Sequence, residues 1–140
     1  MTTPERRDAI RYGFLPLVAR LLLVLEFLVA VNGKITGWSG QAAYMTGHGM
    51  HFVTPLLATA LAIELIGSLA IITGVEARLA AAVMALYLVI VSVQLHDFWN
   101  LSGMAAGTAM TQFFKNLGMV GGLVMVAAYG PGRWAVRWRR

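Results

Sequence analysis

Four apolar runs alternate with shorter polar stretches along the chain. They cover about residues 14–35, 54–73, 79–95 and 112–129. Each run is continuous, whereas a transmembrane barrel strand alternates apolar and polar positions. At about 1.5 Å per residue, a helix of about 20 residues crosses a ~30 Å apolar core. The pattern therefore predicts an all-α integral membrane four-helix bundle, up-down-up-down, with residues 1–140 as a single transmembrane domain. The first run is longer than the apolar core of a signal peptide and lacks a small-residue cleavage site, so it reads as a retained helix.

The polar stretches supply the punctuation. Residues 37–52 form a Gly-rich connector, and a second connector, rich in Gly, Ala and Ser, follows His96-Asp97-Phe98-Trp99. Thr54-Pro55 predicts a helix start, with Thr54 as N-cap and Pro55 in the first turn. Gly74 predicts the stop of that helix. The turn Glu76-Ala77-Arg78 is short enough to join antiparallel neighbours.

Composition strengthens the membrane reading. The chain is 59% hydrophobic and 12% charged, with mean hydropathy +0.71; a soluble domain is nearer half apolar and a quarter charged. There is no cysteine, which excludes disulfides, thiolate metal sites and a dithiol relay of its own. The net charge of +5 comes mostly from arginines. With four spans, Arg6, Arg7, Arg11, Arg78, Arg133, Arg137, Arg139 and Arg140 all fall on one side, and the positive-inside rule then places both termini in the cytoplasm. The charge reads as topology, not nucleic-acid binding; Trp134 and Trp138 suit an interfacial belt.

Two carboxyl groups stand inside the apolar runs. Glu26 lies about 16 Å and Glu64 about 15 Å from the arginine side, at matched depth near the bilayer centre. Desolvation and mutual repulsion predict that one of them is protonated. Their functional reading is a proton relay; their structural reading is a contact that fixes packing. Arg20 reads as snorkelling or as a helix-end contact, with pairing to Glu64 as the sharper alternative.

Polar groups gather in the other half: Asn32, Lys34, His48, His51, Gln94, His96, Asp97, Trp99, Gln112, Lys115 and Asn116. Among these, His96, Asp97, Trp99, Gln112, Lys115 and Asn116 are the candidate ligand-binding residues, and Glu64 and Glu26 the candidate catalytic ones. His48-x-x-His51 with His96 is too weak a pattern to assign a metal. Lys115 is expected in the first turn of the fourth helix, where the dipole opposes a cation; Asp97 is its expected partner. Gly118 and Gly122 form a small-xxx-small face, with Ala58 and Ala62 as a matching smooth face on the second helix. The methionines read as packing.

These residues together resemble the DoxX family of small bacterial membrane proteins. The first helix carries Arg20-Leu21-Leu22-Leu23 and ends in Gly33-Lys34. Glu64-Leu65-Ile66-Gly67, Gly74 and Arg78-Leu79-Ala80 match the second helix and its turn. The most specific parts are His96-Asp97-Phe98-Trp99, Gln112-Phe113-Phe114-Lys115-Asn116-Leu117 and Gly121-Gly122, followed by Gly130-Pro131-Gly132-Arg133-Trp134. Glu26 and Ala30-Val31-Asn32 depart from the pattern, as do the connectors.

The resemblance implies a multi-pass protein of the bacterial inner membrane. Some members are linked to thiosulfate:quinone oxidoreduction or to membrane-associated oxidoreductase complexes. The expectation is therefore a small subunit of a membrane oxidoreductase assembly, acting near a quinone or another lipophilic ligand and needing a partner redox protein or a homo-oligomer. The chain has no electron-carrying group of its own, so quinone is the one cofactor named. The alternative is a non-enzymatic membrane scaffold or assembly factor.

Overall fold

A computed structural model describes residues 13–132 and 134–136. The arginines on which the orientation rests, Arg78 apart, lie outside the described residues, as does Trp138. Among the described residues the chain is all-helical, with five α-helices and one 3-10 turn. These are α1 (Leu15–Thr36), α2 (Trp38–Gly47), α3 (Val53–Thr73), α4 (Ala77–Leu95) and α5 (Gly103–Tyr129), with the 3-10 turn at Phe98–Asn100 between α4 and α5.

Among the described residues, three segments are long and apolar enough to cross a membrane: Leu15–Thr36, Val53–Thr73 and Ala77–Asn100. The 27-residue α5 is long enough, but Gln112, Lys115 and Asn116 lower its hydropathy. Large apolar side chains, among them Leu22, Val29, Ile66, Leu86 and Val124, point outward from these helices. Outward-facing leucines and valines in such number suit a solvent of lipid tails.

The packing follows the chain. α4 lies along α5, α3 packs against both α1 and α4, and α1 touches α5 lightly. The core is Val24, Phe27, Ile71, Ala81, Met84, Ala85, Leu88 and Leu123. Antiparallel pairing shows in the end contacts. Arg20, near the start of α1, donates to Ile71 and Ile72 carbonyls at the end of α3. Gly130, just past α5, lies against Arg78 in the first turn of α4.

Helix ends depart from expectation in places. α2 replaces the predicted irregular connector: Trp38, Gln41, Tyr44 and Met45 fall on a ten-residue helix that buries Met45. α5 starts nine residues earlier than predicted, because residues 103–111 contain Ala, Met and Thr that continue a helix once Ser102 has opened it. Thr54 does not cap α3. Phe52 precedes that helix in the left-handed region at φ 56°, with no side-chain cap. Gly74 does end α3 in the left-handed region, φ 85°, and a Cβ there would come within 2.3 Å of Ala135.

The close approaches also differ. Gly122 meets Leu23 of α1, but Gly118 faces open space. Ala58 and Ala62 are exposed. The tight helix–helix contact on α3 is at Gly67, where a Cβ would lie 2.4 Å from the Met84 sulfur of α4.

Candidate functional site

A cavity of about 440 Å³ lies between the helices, lined by α1, α2, α3, α4 and α5. That volume is within the usual range for small-molecule sites. Most of its exposed surface is apolar, with Phe27, Leu57, Ile63, Leu88 and Met119 among its walls, but polar and charged side chains also line it.

The polar centre is Glu64, which is 4% exposed. Lys34 of α1 donates to both of its oxygens, at 2.8 Å each. Tyr87 of α4 donates its hydroxyl to Oε1 at 2.7 Å. A lone carboxylate here would be costly; three donated hydrogen bonds and a cation satisfy it. The helix directions explain the reach. Helical side chains lean toward their own N-terminus, so Lys34 and Glu64, on antiparallel helices, lean toward each other.

The second polar centre is Lys115 of α5, which donates to Glu26 Oε1 of α1. The two carboxyl groups therefore each hold their own lysine. The expected Glu26–Glu64 interaction does not form, since a cation stands beside each carboxylate. The expected Lys115–Asp97 contact is likewise replaced. With α5 starting at Gly103, Lys115 lies about three turns in, away from the helix end and from Asp97. Arg20 makes the helix-end contact and not the Glu64 pair: it is 1% exposed, and besides the two α3 carbonyls it donates to the Trp134 carbonyl at 2.7 Å.

Six of the eight residues singled out from the sequence line this one cavity: Glu26, Glu64, His96, Gln112, Lys115 and Asn116. Asn116 is buried and donates to the Ser92 hydroxyl at 3.1 Å, which ties α5 to α4. Asp97 and Trp99 do not line it. Asp97 accepts from Asn100 at 2.9 Å and lies 3.9 Å from His48. Trp99 is 52% exposed and belongs to an aromatic cluster with Phe98, Phe113 and Phe114 that seats the 3-10 turn on α5. His48, His51 and His96 do not converge on a common point: no group of three or more metal-ligating side chains is present among the described residues.

Sequence reasoning missed Tyr87 and undervalued Lys34. Tyr87 was legible by depth: it stands ten residues after Ala77, as Glu64 stands ten before Gly74, about 15 Å each from the same end. Lys34 was hidden by the same arithmetic, which sets it about 13 Å from Glu64 in depth; two leaning side chains close the gap. α2 also contributes to the site. Its Tyr44 hydroxyl donates to the Leu95 carbonyl at 2.7 Å, so the short helix sits over the end of α4. Burial, and then Asp97, push the Tyr44 phenol above its ordinary value, which keeps it a donor.

A family model for DoxX matches residues 15–97, more than half of the chain. The chain belongs to the DoxX family. The matched region of this DoxX protein holds Glu26, Lys34, Glu64 and Tyr87, whereas Gln112, Lys115 and Asn116 lie beyond it. Two relatives from Escherichia coli (strain K12) are similar over most of their length. Inner membrane protein YphA is 32% identical over 118 residues, covering 83% of each chain. Inner membrane protein YqjF is 35% identical over 121 residues, covering 86% of this chain and 87% of its own. No solved structure matches.

Proposed function

We propose that this DoxX protein binds a lipophilic molecule with a hydrogen-bonding head, of the quinone type, inside a four-span up-down-up-down bundle. It serves there as a small subunit of an inner-membrane oxidoreductase assembly. The observation that supports this reading is the cavity of about 440 Å³, apolar in its walls and bordered by two lysine–glutamate pairs. α5 acts as the fourth span, its polar residues turned to the cavity or its rim. The whole chain forms one transmembrane domain, with both termini cytoplasmic. The inner-membrane location is supported by the names of both relatives.

In this reading Lys115, Gln112 and His96 hold the oxygens of the head group. Glu64 and Glu26 are the groups that exchange protons with it, each beside its own lysine. Electrons come in this reading from a partner redox protein; the chain contains no cysteine with which to relay them itself.

A second reading has its own support. Every oxygen of Glu64 is already satisfied within the protein, as a purely structural pair would be, and a membrane scaffold would need nothing more. The test is gentle purification with mass spectrometry of co-purifying lipids and proteins, on the unsubstituted chain and on Lys115→Met. A quinone recovered with the former and lost from a folded Lys115→Met variant supports the ligand site. A stoichiometric protein partner without quinone, unchanged in the variant, favours the scaffold.

A further inference from the structure

The two ion pairs are not equivalent. The Lys34 and Glu64 side chains are enclosed, while those of Lys115 and Glu26 are 40% and 47% exposed. Glu26 and Lys115 also line the cavity. The same two groups thus line the cavity and keep much of their surface accessible. They belong to α1 and α5, the neighbours in that ring with the lightest contact.

On α5, Lys115, Gly118 and Gly122 share a face by their spacing of three and four. At Gly122 the seam is shut, because a Cβ would come within 2.9 Å of the Leu23 Cδ1 atom. At Gly118, one turn nearer the ion pair, a Cβ would meet nothing within 4 Å. The seam is therefore closed at one level and open at the next. Glu26 is about 16 Å along α1 from its first residue, far inside the apolar core of a bilayer, so the seam opens toward lipid tails.

The lining also restricts the occupant. Its carboxylates are Glu26 and Glu64 and its ammonium groups Lys34 and Lys115, and these cancel. A charged head group would find no counter-ion left for it, whereas a neutral acceptor can use the N–H groups that Lys115 does not spend on Glu26.

We propose that the α1–α5 seam is a lateral port from the bilayer. Through it the cavity takes an uncharged, long-tailed amphiphile whose carbonyl or hydroxyl head meets Lys115 and Glu26 while its tail rests in the seam at Gly118. The port rests on the ligand-binding reading above and adds the route and the tail.

The test uses the full chain in lipid nanodiscs with two probes, a decyl-tailed benzoquinone and its tailless parent. Gly118→Phe fills the seam without adding a residue to the cavity lining. The decyl probe should bind Gly118→Phe weaker by on the order of tenfold, with the tailless probe changed by less than about twofold. A decyl probe bearing a photoreactive group at its tail end should label α1 and α5 of the unsubstituted protein. This second measurement decides the matter should Gly118→Phe not fold. Labels confined to α3 and α4, or an unchanged decyl affinity in a folded variant, would overturn the port while leaving the cavity as a binding site. Failure of the unsubstituted protein to bind either probe would overturn both.

Discussion

At the scale of single residues, Glu64 carries the most weight. Burying a carboxylate among apolar side chains is tolerable only because Lys34 and Tyr87 meet it. Removing one member of a buried pair leaves a charge uncompensated, at a cost of about 3–5 kcal/mol. Glu64→Leu should therefore destabilise strongly, and adding Lys34→Met should recover most of the loss. Thermal unfolding of the two singles and the double in one detergent checks this; additive losses would show that the pair is not coupled. Tyr87→Phe removes one hydrogen bond to a charged acceptor and should cost about 1.5–3 kcal/mol. The carboxyl groups were visible in the sequence as ionisable residues in apolar runs, but their partners were not. Matched depth suggested that Glu26 and Glu64 would interact, with repulsion leaving one of them protonated. Which side chain can lean across to which helix decided otherwise.

At the scale of elements, α1 and α3 are joined end to end by Arg20. Its guanidinium satisfies last-turn carbonyls of α3, which have no helical partner, and holds the Trp134 carbonyl as well. The Val136 amide completes the contact by donating to the Thr73 carbonyl at 2.7 Å. Arg20→Met should cost about 3 kcal/mol or more, on the basis of the charge-assisted bonds lost. It should also release the segment after α5, read as faster proteolysis near residues 130–136. Arg20→Lys should recover only part, because an ammonium cannot present the planar fork. A protection pattern unchanged in Arg20→Met would rule out the tie.

Element boundaries show how far local signals carry. Gly74 stops α3 because a glycine tolerates the left-handed turn that the following chain requires, and the sequence advertises this. The extra length of α5 and the presence of α2 were not advertised in the same way. Both segments are rich in small and polar residues that suit loop or helix equally, and their docking against longer helices decides between the two. The tight contact at Gly67 was equally hidden, since a glycine inside an apolar run does not announce the Met84 side chain opposite. Gly67→Ala should lose about 1–3 kcal/mol by overpacking. The loss should be smaller in a Met84→Ala background, measured as a double-mutant cycle.

At the scale of the whole molecule, the absence of cysteine makes topology directly measurable. Single cysteines at Val75 and Ser102 lie beyond opposite ends of α4, whose 19 residues span about 28 Å. With the termini cytoplasmic, a membrane-impermeant maleimide added to intact cells should label Ser102→Cys and spare Val75→Cys. The reverse pattern would invert the protein and turn the Ser102 end toward the cytoplasm.

By itself the sequence determined that this is a helical membrane protein of the DoxX family. It also marked six residues that line one cavity: Glu26, Glu64, His96, Gln112, Lys115 and Asn116. The membrane reading rests on hydrophobic run length, the family on the motifs it resembles, and the marked residues on polar and ionisable groups in or beside apolar runs, all of them one-dimensional properties of the chain. Only the tertiary structure decided the pairing of Lys34 with Glu64 and of Lys115 with Glu26, and the exclusion of Asp97 and Trp99 from the cavity. It alone showed that the α1–α5 seam is open at Gly118 and shut at Gly122. Pairing depends on the rotation of each helix about its axis and on the direction in which side chains lean. Those are set by packing around Gly67, Leu23 and Met84, whose contacts join residues far apart in the chain.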